Sequence, residues 1–65
     1  MTIWIAYVER AGRTYFVDRG DKTEIMGMVN RKASELELSD DIIYDIKYVE
    51  MNHIPYNWLN IEELL

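Results

Sequence analysis

The side chains able to do chemistry are few. The chain has one histidine, His53, two serines, Ser34 and Ser39, and no cysteine. Without cysteine there is no disulfide, no zinc-thiolate site and no thiol nucleophile. A serine triad would need His53 to serve Ser34 or Ser39 from a loop beside Pro55, and a lone histidine is more often an edge residue than a base. Asp40, Asp41 and Asp45 form the one carboxylate cluster. It lacks the loop glycine and the spacing of an EF-hand, so no metal site is expected. Gly12, Gly20 and Gly27 are isolated, which removes a phosphate-cradling loop. A cleft walled for glycoside hydrolysis is hard to build from 65 residues. The expectation is a protein that is not an enzyme and has no cofactor, so its function is sought on its surfaces.

Charge is the first surface signal. Residues 1–33 carry six basic groups and four acidic ones, whereas residues 34–65 carry Lys47 against eight acids. The second part is therefore −7 within a chain of net charge −5. Carboxylates on a rigid scaffold can stand where phosphates stand in the basic groove of a nucleic-acid-binding protein. Apolar anchors beside them make such a contact specific, and the acids steer association. The expected partner-binding set is Glu35, Glu37, Asp40, Asp41, Asp45 and Glu50, then Tyr56, Trp58 and Leu59, then Glu62 and Glu63. The alternative is a homodimeric structural or regulatory subunit whose acidic face only maintains solubility and whose aromatic residues close the core. Direct RNA or single-strand binding through Arg10, Arg13, Tyr15, Phe16 and Arg19 is the weakest expectation, because a pI near 4.6 repels a polyanion.

These residues need elements to hold them. With 49% apolar and 12% aromatic residues the chain is too hydrophobic to be disordered, and at 65 residues it is one domain. β-Branched and aromatic residues predict strands over 2–9 and 13–18. Arg10-Ala11-Gly12 reads as a three-residue hairpin loop that sets Glu9 opposite Arg13. That register turns Ile3, Ile5, Tyr7, Tyr15 and Val17 to one face and Trp4, Ala6, Val8 and Phe16 to the other. Asp21 and Glu24 have capping-box spacing. Ile25, Met28, Val29, Ala33 and Leu36, with Lys32 at the edge, form a stripe that predicts a helix over 22–36. Ser39-Asp40-Asp41 reads as a break, and Ile42–Met51 alternates as a strand, with Ile42, Tyr44, Ile46 and Tyr48 facing inward. Asn57 caps a short expected helix over Trp58–Leu64.

The expected fold is α+β over residues 1–65: a three-stranded, mainly antiparallel sheet in β-β-α-β order, one main helix on one face, and a short C-terminal helical segment. The third strand lies beside the first. One helix covers one face, so the apolar second face needs the tail Ile54–Ile61, a second copy of the chain or a different protein; a homodimer is expected, since small cores without disulfide or metal need a staple. No apolar run reaches the ~20 residues of a membrane span, and the N-terminus lacks a signal-peptide pattern, so a cytoplasmic protein is expected. The hairpin–helix–strand order of residues 2–51, in a short acidic chain without cysteine, resembles small phage-encoded inhibitors. It is similar in outline to the uracil-DNA glycosylase inhibitors and to acidic anti-CRISPR proteins. The resemblance rests on element order and charge and carries no motif residue across. It implies an inhibitor or modulator of a nucleic-acid-handling host protein.

Overall fold

A computed structural model describes residues 1–65. Strands β1 (Ile3–Arg10) and β2 (Arg13–Gly20) form the hairpin. The loop is shorter than expected. Arg10 pairs with Arg13, leaving only Ala11 and Gly12 to turn the chain, with φ of 52° and 75°. Two successive left-handed residues match the twist of a tight hairpin, and Gly12 adopts that conformation without a side-chain penalty. Moving the pairing by one residue reverses the faces of β2. Val8 now opposes Tyr15, and Tyr7 opposes Phe16. Tyr15 therefore joins Ala6 and Val8 on the helix side, whereas Phe16 lies with Tyr7 on the opposite side. A bulge at Val17 then shifts the register, since Ala6 pairs with Asp18, and this returns Gly20 to the helix side.

Helix α1 (Ile25–Glu35) starts three residues later than the pattern implied. Asp21 nucleates the turn that leads into it. Its carboxylate accepts from the Thr23 and Glu24 backbone N–H groups at 3.1 and 3.0 Å, and its carbonyl accepts from the Ile25 N–H at 3.0 Å. Ile25, Val29 and Ala33 are buried, as their stripe predicts. They pack with Ala6, Val8, Tyr15 and Val17 into a core completed by Leu38, Ile42 and Ile61. Leu38 N–H reaches the Ala33 carbonyl and Glu37 N–H the Ser34 carbonyl, the paired bonds of a Schellman stop. The left-handed residue of that stop is Glu37, with φ of 53°, where glycine or asparagine is usual.

The segment expected to be one long strand is divided. Residues Asp40–Tyr44 form a short helix, α2, and only Lys47–Met51 are extended as β3. Ser39 holds the extended N-cap conformation, and Asp40 and Asp41 occupy the first turn, where carboxylates suit the positive end of the helix dipole. Ile42 and Ile46 are four apart, so the period-two alternation is also a helical spacing. Ile42 is buried and Ile46 packs against the core, but Tyr44 is 87% exposed and Tyr48 37% exposed. The expected inward face of four residues is thus reduced to two.

β3 pairs antiparallel with β1, as expected. Strand β4 (Leu59–Asn60) adds a fourth, parallel to β2, giving the order β3-β1-β2-β4. The sheet is therefore mixed. The C-terminal helix is a single 3₁₀ turn, Ile61–Leu64. It begins after Asn60 and not Asn57, because the Glu63 carboxylate accepts from the Asn60 N–H at 3.1 Å. Between β3 and β4 the chain crosses the second face of the sheet, and Trp58 lies against Tyr7 with ring centroids 5.2 Å apart. Ile5, fully buried yet outside the helix-side core, belongs to this second face. The tail thus covers the surface that sequence alone left open to a second copy.

The turn yields a stability prediction. Ala11 holds a left-handed conformation that asparagine tolerates better. Ala11→Asn is expected to stabilise the chain by about 1 kcal/mol, and Gly12→Ala to destabilise it by a similar amount. Urea midpoints at constant m-value check both.

Candidate functional site: an acidic corner beside an apolar groove

The topology gathers most of the acids at one end. α1 runs back toward the hairpin turn, and α2 follows at that end. There Arg10 clips α2 in place: its Nε and Nη2 donate to the Asp45 carboxylate at 3.0 and 2.6 Å, and Nη2 also donates to the Asp41 carbonyl at 3.2 Å. This ion pair is partly exposed, so its value is geometric more than energetic. Lys47 holds Glu9 at 3.1 Å across the β3–β1 boundary.

The expected partner-binding residues divide into two sets. Asp45 is held by Arg10, Glu50 accepts from the Thr2 hydroxyl at 2.6 Å, Glu62 faces Lys32 at 3.9 Å, and Glu63 starts the 3₁₀ turn. These four serve the fold. Glu35, Glu37, Asp40 and Asp41 are exposed, and their carboxylates make neither ion pair nor hydrogen bond. Their position, from the end of α1 to the start of α2, forms an acidic corner. No three acidic or histidine side chains come together closely enough to hold a metal ion. The expected aromatic anchor does not form a unit. Tyr56 is fully exposed, Trp58 is half-buried on Tyr7, and Leu59 is half-buried in β4 on the core. Glu50 stands at the opposite end of the sheet, paired with Trp4, away from the corner.

Beside the corner lies a feature that sequence reasoning missed. α1 packs over β2 more than over β1 and only flanks β3, so a hollow remains between the helix and Tyr48 on the helix side of β3. The result is a groove of about 400 Å³ lined mostly by apolar side chains, Val29, Ala33, Leu38, Ile43, Ile46 and Tyr48, with Asn30, Ser34 and Glu37 as its polar members. Ile43 and Tyr44 are exposed next to Asp40 and Asp41. The sequence signal for this groove is Ile43, which a strand over Ile42–Met51 turns away from the inward face. Of the basic-hairpin alternative, Arg13 and Arg19 are exposed and unpaired, whereas Tyr15 is buried, Phe16 is half-buried, and Arg10 is occupied by Asp45.

Comparison with protein-family models, curated proteins and solved structures finds no match, so functional inference rests on this site. No helix is long and apolar enough to cross a membrane.

Two groups on β3 make stability depend on alkaline pH. Lys47 is raised above its ordinary 10.5, first by its hydrogen bond to Glu9 and then by that carboxylate's charge. Burial raises the Tyr48 phenol above 10.0. Both folded-state values exceed the unfolded ones, so both contributions are fully present below the ordinary values and fade as pH rises through the folded ones. Stability measured by urea unfolding should be level from neutrality until that range and then fall. Glu9→Gln should remove the Lys47 part of the fall and leave the Tyr48 part.

Proposed function

We propose that this chain is a non-enzymatic protein-binding module that inhibits or modulates a nucleic-acid-handling protein, with carboxylates standing in for phosphates. One residue carries the reading. Glu37 is in a left-handed conformation that favours glycine, and it sits at the negative end of α1, where its charge opposes the helix dipole. Both effects work against folding, by roughly 1 kcal/mol for the backbone and ~0.3–1 kcal/mol for the charge. Its carboxylate has no partner in the chain, and it lies at the rim of an apolar groove. Strained residues that the fold does not require concentrate at binding sites. Glu35, on the last turn of α1, shares the unfavourable dipole position.

The division of labour follows ordinary interface physics. The groove and exposed Tyr44 supply the contact that excludes water, and Glu35, Glu37, Asp40 and Asp41 steer a basic surface onto it. Screening length sets the salt sensitivity: exposed charges lose most of their mutual effect beyond ~8 Å at physiological ionic strength.

The test uses variants that should not weaken the fold. Glu37→Gly should raise stability by about 1 kcal/mol by relieving the left-handed strain. Immobilised wild-type chain should retain a DNA- or RNA-binding protein from bacterial lysate and release it in a salt gradient. Glu35→Gln with Glu37→Gln should release the same protein at clearly lower salt while melting no earlier. Equal salt release by the double variant contradicts the proposed site.

A further inference from the structure

The outer edge of β3 is the longest unpaired backbone in the sheet. The other outer strand, β4, has two residues, whereas β3 has five. Natural edges of this kind are usually guarded by a lysine or another charge projecting outward. β3 contains two charged residues, and both are tied back toward its own sheet: Lys47 to Glu9 of β1, and Glu50 to the Thr2 hydroxyl. Both side chains remain exposed, but each is engaged by a neighbour in its own chain, and the backbone edge between them is unpaired. On its helix side, Tyr48 is 37% exposed and shares an apolar hollow with Trp4, Ile25 and Met26. The chain as a whole exposes 4722 Å², about 350 Å² more than folded monomers of its mass usually do.

We propose that two copies of this chain pair antiparallel along β3, about a two-fold axis through Val49, into one continuous eight-stranded sheet. A two-fold axis normal to the sheet keeps both α1 helices on the same side and requires that each residue oppose one of the same facing. Centring on Val49 is the arrangement that uses the whole strand. It sets Lys47 opposite Met51 of the other copy, and Tyr48 opposite Glu50. No like charges meet, and a phenol faces a carboxylate. Centring on Lys47 or Glu50 would oppose identical charges, which is unfavourable between directly paired strands.

This interface is distinct from the second sheet face, which the tail covers, and it uses a strand edge that leaves the acidic corner exposed. Sedimentation across a concentration series tests it without any other protein. Wild type should approach twice 7.8 kDa. Tyr48→Glu places carboxylates opposite each other twice per dimer and should weaken association by about tenfold. Adding Glu50→Lys to Tyr48→Glu should restore it, with circular dichroism reporting that each variant is folded. Should Tyr48→Glu not fold, amide exchange of residues 47–51 in wild type should slow as concentration rises. A wild type that remains monomeric at every concentration overturns the proposal. So does a folded Tyr48→Glu variant that dimerises undiminished, a charge-swapped pair that gives no recovery, or β3 exchange independent of concentration.

Discussion

Everything in this fold follows from the register of one hairpin. Ala11 and Gly12 close it with two residues, and the bulge at Val17 corrects the alternation further along β2. Together they place Ala6, Val8, Tyr15 and Val17 on one face, where α1 can bury them, and leave Ile5, Tyr7 and Phe16 for the tail. A slip of one residue would exchange the faces of β2, exposing Tyr15 and burying Phe16 against the helix. With only eleven buried residues, a chain of this size has no reserve to tolerate that exchange. The rest of the topology is closure: one helix for the first face, one extended tail for the second, and Ile61 returning to the helix-side core.

Within that frame the charges have separate tasks. Arg10 and Asp45 fix α2 against the hairpin, Lys47 and Glu9 link β3 to β1, and Glu63 starts the last turn. Asp40 and Asp41 suit the start of α2. Glu35 and Glu37 have no such role, and their placement opposes the local field and, for Glu37, the local backbone preference. The net charge of −5 is therefore not a uniform solubilising coat. Part of it is structural, and part is concentrated beside an apolar groove that the helix leaves uncovered. On the proposed reading, that pairing of unpartnered acids with exposed Ile43 and Tyr44 faces a basic, partly apolar protein surface.

Much of the architecture was legible in the residues. The hairpin, the α1 stripe and the position of β3 beside β1 follow from propensity, periodicity and connection rules. The turn was misjudged because Arg10-Ala11-Gly12 suits either a two- or a three-residue loop, and alanine does not advertise a left-handed conformation. α2 was missed because Ile42 and Ile46 satisfy both periods, so only Ser39 and the acids after it distinguished a helix start from a break. β4 is too short to leave a pattern. The acidic set was recognisable by composition, but its division was not. Which carboxylates are engaged depends on Arg10, Lys32 and Thr2, residues distant in sequence that only the topology brings near.

In the proposed function, the acidic corner occupies a site on its partner where nucleic acid would otherwise bind. The most direct measurement is competition: fluorescence anisotropy of a labelled oligonucleotide bound to the protein that this chain retains from lysate, titrated with the chain. Displacement at near-stoichiometric amounts, weakening as salt rises, is the predicted result. An oligonucleotide that stays bound while the chain also binds would contradict it, and would place the acidic corner at a surface remote from nucleic acid.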